Sequence, residues 1–427
     1  MIDIQIIRTE PDRVREAMKK KGYDDTRIVD TVISLDTKRR TTVTQLQEIQ
    51  TAMNTISKEI GQLFRDGKQE EAQQKKAESV KLKEQQKELE ELSKTIQEKL
   101  DRAQLDIPNI PHQSVPVGKT PNENQVVFQT ENLPTFEFPP LPHWELTLMH
   151  GLVDFERGSK VTGAGFPFYT GKGARLQRAL INFFLDMATE EGGYTEIQAP
   201  LFVNAASATG TGQLPDKEDQ MYEITRDELF AIPTAEVPLT NFLREEILSQ
   251  KNLPIQYAGY TSCFRREAGS HGKQVRGLNR LHAFDKVELV HFVEPEKSYE
   301  ALEVLREDAE RILNKLGLPY QRLLMCTGDM GFTQAKKYDL EVWAAGQQRW
   351  LEVSSISNFE AFQARRMNIR YRKEGEKKPQ YVHTLNGSGL ALPRIVAALL
   401  ENGQQPDHSI VLPKVLHEYT GFDKIGR

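Results

Sequence analysis

Apolar residues in the first quarter of the chain fall on one narrow line. Leu46, Ile49, Met53, Ile56, Ile60 and Leu63 recur at alternating intervals of three and four, the period that keeps a single seam along a helix and suits a coiled coil. Lys, Glu, Gln and Thr fill the positions between them, and no proline occurs from Pro11 to Pro108. The seam breaks at Arg65, Asp66, Gly67 and Lys68, and a second runs through Leu82, Leu89, Leu92, Ile96 and Leu100. This pattern predicts an antiparallel helical hairpin over about residues 27–104 with its tip near Gly67. Each helix, of roughly 35 residues, extends about 50 Å. Such an arm is too thin for a core of its own and is expected to project.

The pattern changes from Ile107 to Pro142, where Pro108, Pro111, Pro116, Pro121, Pro134, Pro139, Pro140 and Pro142 mark an extended linker. The expected division is therefore a helical domain at 1–106, a linker at 107–142 and a larger domain at 143–427. In the last of these, Gly173–Glu191 carries Leu176, Leu180, Phe184 and Met187 as a helical stripe and ends at Gly192 and Gly193. Strand-like stretches follow at Tyr194–Gln198, which leads to Pro200, and at Leu281–Val293. Strands in neighbouring hairpin order, without regular βαβ alternation, predict an α+β domain built on a large antiparallel β-sheet with helices.

Composition narrows the picture. A chain of 427 residues with 38% hydrophobic content can form two or three domains and a sizeable core. No apolar run approaches membrane-spanning length and the N-terminus lacks a secretory pattern, so the expected address is cytoplasmic, with no membrane partner. Cys263 and Cys326 stand in no metal-ligand spacing, which points to neither a disulfide framework nor a structural zinc. The net charge of -5 argues against coating nucleic acid through overall charge, so any RNA contact must be local. A candidate is the set Lys76, Lys83, Lys87 and Lys94, whose spacing places them on one helix face, roughly opposite the Leu89/Leu92/Ile96 seam. Glu78, Glu88, Glu91 and Glu98 on the same helix fit an ordinary solvated face equally well.

Candidate chemistry concentrates between Phe264 and Glu288. If the flanks are strands, alternation puts Arg265 and Glu267 on one face, and His282, Phe284, Lys286 and Glu288 together on one face of the returning strand. Arginine clamps a phosphate or carboxylate through parallel hydrogen bonds, and an aromatic ring gives a base a surface to stack on. A charged hairpin with no ligand is the competing reading. Upstream, the IPTAE string (Ile232–Glu236) sets a hydroxyl and a carboxylate two residues apart, able to face one cavity if extended and to hold an ammonium group. Downstream, Glu352, Ser354 and Ser355 offer hard oxygen donors suited to Mg²⁺ bound together with phosphates. The C-terminal HTLNGSGLALPR reads as a strand, a glycine turn at Gly387–Gly389 and a helix start at which Arg394 favours an anion. No P-loop string is present, so ATP, if bound, is held in another way.

Together these strings resemble the seryl-tRNA synthetases of bacterial type, a class II aminoacyl-tRNA synthetase family, over nearly the whole chain. The order matches: a hairpin arm, GLVDFERGSKVTGAGF (Gly151–Phe166), the helix, strand and Pro200 of motif 1, IPTAE, and motif 2 from CFRREAGS onward. CTGDMGFTQAKKYDLEVW, LEVSSISN with FQARR, and TLNGSGLA of motif 3 complete it. The resemblance implies a serine site of Thr234, Ala235, Glu236, Arg265, Glu288 and Ser388, with the carboxylates taking the ammonium and hydroxyl. It implies ATP on Arg265, Arg266 and Glu267, adenine between Phe284 and Arg394, phosphates near Glu352, Val353, Ser354 and Ser355, and Mg²⁺ on Glu352 and Ser355. Arg265 and Arg394 are the expected catalytic pair. A homodimer around Pro200, an arm gripping tRNA(Ser) across the dimer, and serylation of tRNA(Sec) as well are further implications. Pro393 stands where the family usually has glycine, Ala283 where it has glutamine, and Ile356 where cysteine is common.

The implied chemistry is attack by the carboxylate of L-serine on the α-phosphorus of ATP, then transfer of the seryl group to tRNA. Positioning and charge neutralisation dominate such a step, and no protein nucleophile is required. Two rival readings share most of these residues. One is an adenylating relative that loads a carrier protein, against which the arm counts; the other is a non-catalytic synthetase-like binding protein, against which the complete ligand set counts.

Overall fold

The computed structural model describes residues 1–267 and 276–426. The chain forms two compact units: one comprises residues 2–19 and 23–108, and the other residues 109–427 together with residues 1 and 20–22. In the first, two short helices precede α1 (Arg27–Arg65) and α2 (Gln69–Leu105), of 39 and 37 residues. At 1.5 Å per residue each spans somewhat over about 50 Å. Gly67, at φ +76°, sits in the turn between them, a conformation glycine adopts at little cost. Lys75 pairs with Glu59 at 3.1 Å and Gln86 donates to Gln50 at 3.4 Å, which sets residues 46 and 89 approximately level across the hairpin.

The α1 seam runs as its spacing predicts, but that of α2 differs by one position. Leu92 is 48% exposed, and the inward line runs through Leu82, Gln86, Leu89, Ser93, Ile96 and Leu100. Leu92 and Ser93 both preserve three-four spacing between Leu89 and Ile96, but only Ser93 continues the sevenfold line through Gln86. The polar residue at the seam obscured this. Lys76, Lys83, Lys87 and Lys94 are all exposed, each one residue after a seam position. They therefore flank the seam about 100° round rather than opposing it.

The second unit is organised by an eight-stranded sheet. Its strands are β1 (Gln125–Gln129), β2 (Thr195–Glu196), β3 (Ile255–Phe264), β4 (Ala283–Val293), β5 (Tyr320–Leu324), β6 (Lys336–Ala344), β7 (Arg349–Asn358) and β8 (His383–Ala391). The spatial order is β1-β5-β6-β7-β8-β4-β3-β2, antiparallel except for the β2–β3 pair. The stretch expected as a linker thus supplies the edge strand β1, which pairs with β5. Strand-like Tyr194–Gln198 contracts to two paired residues.

Helices α3 (Gly171–Asp186), α5 (Ser298–Leu316) and α6 (Leu392–Gly403) bury apolar stripes in one core with Val287, Leu289 and Val293 of β4. Val290 and Phe292, which alternate with these, enter a second core with Ala235 and Leu239 near helix α4 (Glu236–Asn241). The central strand β4 is therefore covered by apolar groups on both faces in its second half. Two local expectations fail. Gly387–Gly389 is not a turn: both glycines lie within β8, where a methyl on Gly387 would stand 3.1 Å from Leu305 and one on Gly389 3.2 Å from Val287. IPTAE is not extended, because Thr234 Oγ1 accepts from Glu236 N at 3.2 Å and the chain turns there into α4.

Candidate active site

A cavity of about 370 Å³ opens over β4, β7 and β8. Alternation along β4 turns Phe284, Lys286 and Glu288 to the same side. At one end lies a compact polar cluster. Glu288 accepts from the Thr234 hydroxyl at 2.8 Å and from the Asn386 amide at 3.0 Å, and pairs with the ammonium of Lys286. Lys286 also donates to Thr234 at 3.0 Å. Asn386 donates in addition to Glu236 at 3.0 Å, and Gln363 donates to the other oxygen of Glu236 at 2.6 Å. Burial first, and then the neighbouring Glu288, pushes the Glu236 carboxyl up to about 7.

The other end of the cavity carries two arginines, Arg265 and Arg394. Arg265 Nε donates to the Pro233 carbonyl at 3.3 Å, and its guanidinium lies 5.2 Å from the centre of the Phe284 ring. Arg394, in the first turn of α6 beside Pro393, donates to the carbonyls of Glu352 at 2.6 Å and Asn279 at 3.0 Å. Proline is tolerated there because its missing N–H has no intrahelical partner to lose. Glu267 pairs with Arg280 at 3.3 Å across the two limbs that leave β3 and enter β4.

Two bulges align the remaining groups. Between β6 and β7, Ser354 pairs with Leu340 but Glu352 with Glu341, so Val353 is an extra residue on β7. Without it Glu352 and Ser355, three apart, would face opposite sides; with it they share one side and both line the cavity. In β8 the register slips between Ser388 and Ala391, and Leu390 there adopts φ +84°. This places Ser388 opposite Glu288 and starts α6 two residues after Leu390.

Glu352 and Ser355 form an all-oxygen donor pair, which fits Mg²⁺, a cation that keeps several water or phosphate ligands of its own. Burial alone raises the Glu352 carboxyl, but Lys337 first, then Arg394 and Arg265, hold it below its ordinary range and keep it an anionic donor. No cluster of three or more His, Cys, Asp or Glu suited to a metal occurs among the described residues.

Thr234, Glu236, Arg265, Glu267, Phe284, Glu352, Val353, Ser354, Ser355, Ser388 and Arg394 line this one cavity. Other expected residues do not. The methyl of Ala235 is packed in the second core, and Arg266 is tied through its backbone N–H to the Gln220 carbonyl at 2.9 Å without lining the cavity. Glu288 is wholly buried behind Thr234, Lys286 and Asn386. The Val353 side chain is core, and Ser354 Oγ is engaged with the Ser388 carbonyl at 2.7 Å. Pro200 is exposed, next to exposed Leu201 and Phe202. The loop expected to move, residues 269–280, falls outside the described residues as far as 275.

Lys286, Asn386 and Gln363 complete the polar end; alternation in the sequence puts Lys286 on the face of Phe284 and Glu288, but no pattern there assigns any of the three a role. Asn386 was within reach, since alternation places it on the face of Ser388; Gln363 lies in a short helix with no periodic signal.

Residues 221–403 match the tRNA synthetase class II core domain (G, H, P, S and T), and residues 1–111 match the seryl-tRNA synthetase N-terminal domain. The chain is 60% identical over 426 residues to a serine–tRNA ligase of Salinibacter ruber, covering 100% of this chain and 99% of that one. It is 49% identical to that of Thermodesulfovibrio yellowstonii, with 100% of both chains covered. Among solved structures, the seryl-tRNA synthetase of Pyrococcus horikoshii complexed with ATP superposes with a TM-score of 0.93 at 36% identity, covering 100% and 99% of the two chains. The cytoplasmic serine–tRNA ligase of Naegleria fowleri in complex with AMP gives a TM-score of 0.87 at 28% identity, over 100% and 98%. A cavity with an arginine-lined end and a carboxylate-lined end agrees with these likenesses: the chain belongs to the seryl-tRNA synthetase family.

Proposed function

We propose that this serine–tRNA ligase binds serine at the Thr234/Glu236/Lys286 end and ATP at the Arg265/Phe284/Arg394 end of the cavity, with Arg265 serving both. The observation that carries the reading is the position of Arg265, held by the Pro233 carbonyl next to the serine end and facing Phe284 at the ATP end. The serine ammonium goes to Glu236 and displaces nothing permanent. Its hydroxyl reaches Glu288 by taking over a contact now made by Lys286, so that the carboxylate stays paired throughout. A site that hydrogen-bonds a hydroxyl rejects the deoxy analogue alanine strongly.

An oxygen of the serine carboxylate attacks the α-phosphorus of ATP; an O–P bond forms, the bond to the β-phosphate oxygen breaks, and pyrophosphate leaves. Arg265 aligns carboxylate and α-phosphate, which repel one another in water, and Arg394 takes up charge on the phosphates. Glu352 and Ser355 would hold Mg²⁺, which when bound neutralises phosphate charge. The terminal 3′-hydroxyl of tRNA(Ser) then attacks the carbonyl carbon of seryl-adenylate, releasing AMP. The basic flank of α2, a homodimer through the surface near Pro200 with tRNA across subunits, and serylation of tRNA(Sec) belong to the same proposal. So does a cytoplasmic address; no helix among the described residues is long and apolar enough to cross a membrane. In exchange of labelled pyrophosphate into ATP, activity is expected with serine and not with alanine, and Arg265→Ala should reduce it about 10²- to 10³-fold. Full activity of that variant would remove Arg265 from the mechanism.

A further inference from the structure

Helix α6 presents Arg394 and Glu401 seven residues apart, two turns along, and hence on one face. That face meets residues 276–281, the limb entering β4. Arg394 Nε donates to the Asn279 carbonyl at 3.0 Å. Two turns further on, Glu401, fully buried, accepts from His143 Nδ1 at 2.8 Å, while His143 Nε2 accepts the backbone N–H of Leu278 at 2.9 Å. An N–H can only donate, so Nε2 carries the lone pair and the ring proton sits on Nδ1, directed at the carboxylate. Gln347 closes the circuit: it donates to Glu401 at 2.8 Å through its side chain and at 3.0 Å through its backbone, and accepts from Asn279 Nδ2 at 2.8 Å.

Further details show that the limb is shaped around this ring. Gly277, at φ +66°, lies so close that a methyl there would stand 2.4 Å from His143 Nε2. Arg276 stacks its guanidinium 4.7 Å from the ring centre of Trp144, the residue after His143. Successive residues 278 and 279 are thus tied to α6 twice, once through His143 and Glu401 and once through Arg394.

We propose that His143 is a positioning residue for ATP: it fixes the limb whose Asn279 carbonyl orients the Arg394 guanidinium. The inference rests on the assignment of Arg394 to ATP. Without the imidazole acceptor, the buried Leu278 N–H has no partner, the limb shifts, and Arg394 loses one of the two carbonyls that aim it.

The test is a KM comparison in serine-dependent pyrophosphate exchange. His143→Asn keeps a donor toward Glu401 and removes the acceptor at Nε2; KM for ATP is expected to rise about tenfold, the cost of one unpaired buried N–H, with KM for serine within twofold. His143→Gln, which restores an acceptor near Nε2, should recover most of the loss. Gly277→Ala, whose methyl would meet His143 Nε2, should give an ATP-selective rise from the side of the limb, and recovery in His143→Gln guards against misfolding of the first variant. Unchanged KM values, or equal rises for ATP and serine, would overturn the proposal. Absence of exchange in the wild-type protein would instead overturn the adenylation reading. In that case calorimetric ATP affinity, expected to be about tenfold weaker in His143→Asn, still decides the role of His143.

Discussion

Two carboxylates, Glu236 and Glu288, are buried beside a single ammonium group, that of Lys286, at the proposed amino-acid end of the cavity. Glu236 titrates near 4.5 in the unfolded chain and at about 7 in the folded one, because burial and Glu288 disfavour its charge. Between these values the folded chain keeps a proton that the unfolded chain has released. The stability this difference contributes is present at low pH and is lost as pH rises from about 4.5 to about 7, by at most about 3.5 kcal/mol. Melting of Glu236→Gln against the wild-type protein at pH 5 and pH 8 checks this: the variant should gain relative stability at the higher pH, and no change in the difference would refute the shift. If the serine ammonium pairs with Glu236 as proposed, it needs that carboxyl ionised, so KM for serine should fall as pH rises through about 7 and lose that dependence in the variant. For Glu288→Gln, which keeps the shape of the side chain, KM for serine is expected to rise about 10²-fold and KM for ATP less than threefold. Equal effects on both substrates would sink the assignment of Glu288 to serine.

At the scale of elements, the arm and the sheet answered to sequence reasoning differently. A sevenfold apolar repeat is a local property, so α1, α2 and the turn at Gly67 were legible, and Leu92 was misplaced only because a serine occupies the seam. The bulges at Val353 and Leu390 are not local. They arise from pairing with β6 and β4, and alternation alone would have split Glu352 from Ser355. Those residues were legible as a site through the resemblance of whole strings; Lys286 was legible as a position on the Phe284 and Glu288 face, while the contacts of Asn386 and Gln363 with Glu236 emerge only in three dimensions. Replacing residues 46–89, level across the hairpin, by a short glycine linker should leave serine-dependent exchange within about threefold and abolish tRNA charging. Charging that survived would take the arm out of the mechanism. Changing Lys76, Lys83, Lys87 and Lys94 together to alanine should raise KM for tRNA and lower the slope of its salt dependence by up to about four, one per lost phosphate contact. An unchanged slope would show that this flank is merely solvated.

In the proposed mechanism one unit carries out adenylate chemistry and the other captures tRNA, and the proposed dimer makes these separable. Mixing arm-deleted protomers with Arg265→Ala protomers should restore charging that neither gives alone, since a heterodimer then holds one intact site and the arm of the opposite subunit. Failure to restore it in a confirmed heterodimer would place tRNA on a single subunit. The carrier-protein loader and the non-catalytic binder diverge from this account in a single assay series. Wild-type protein given ATP, Mg²⁺ and serine should exchange pyrophosphate, and on addition of purified tRNA(Ser) should form seryl-tRNA. Exchange without charging, or no exchange at all, would contradict it.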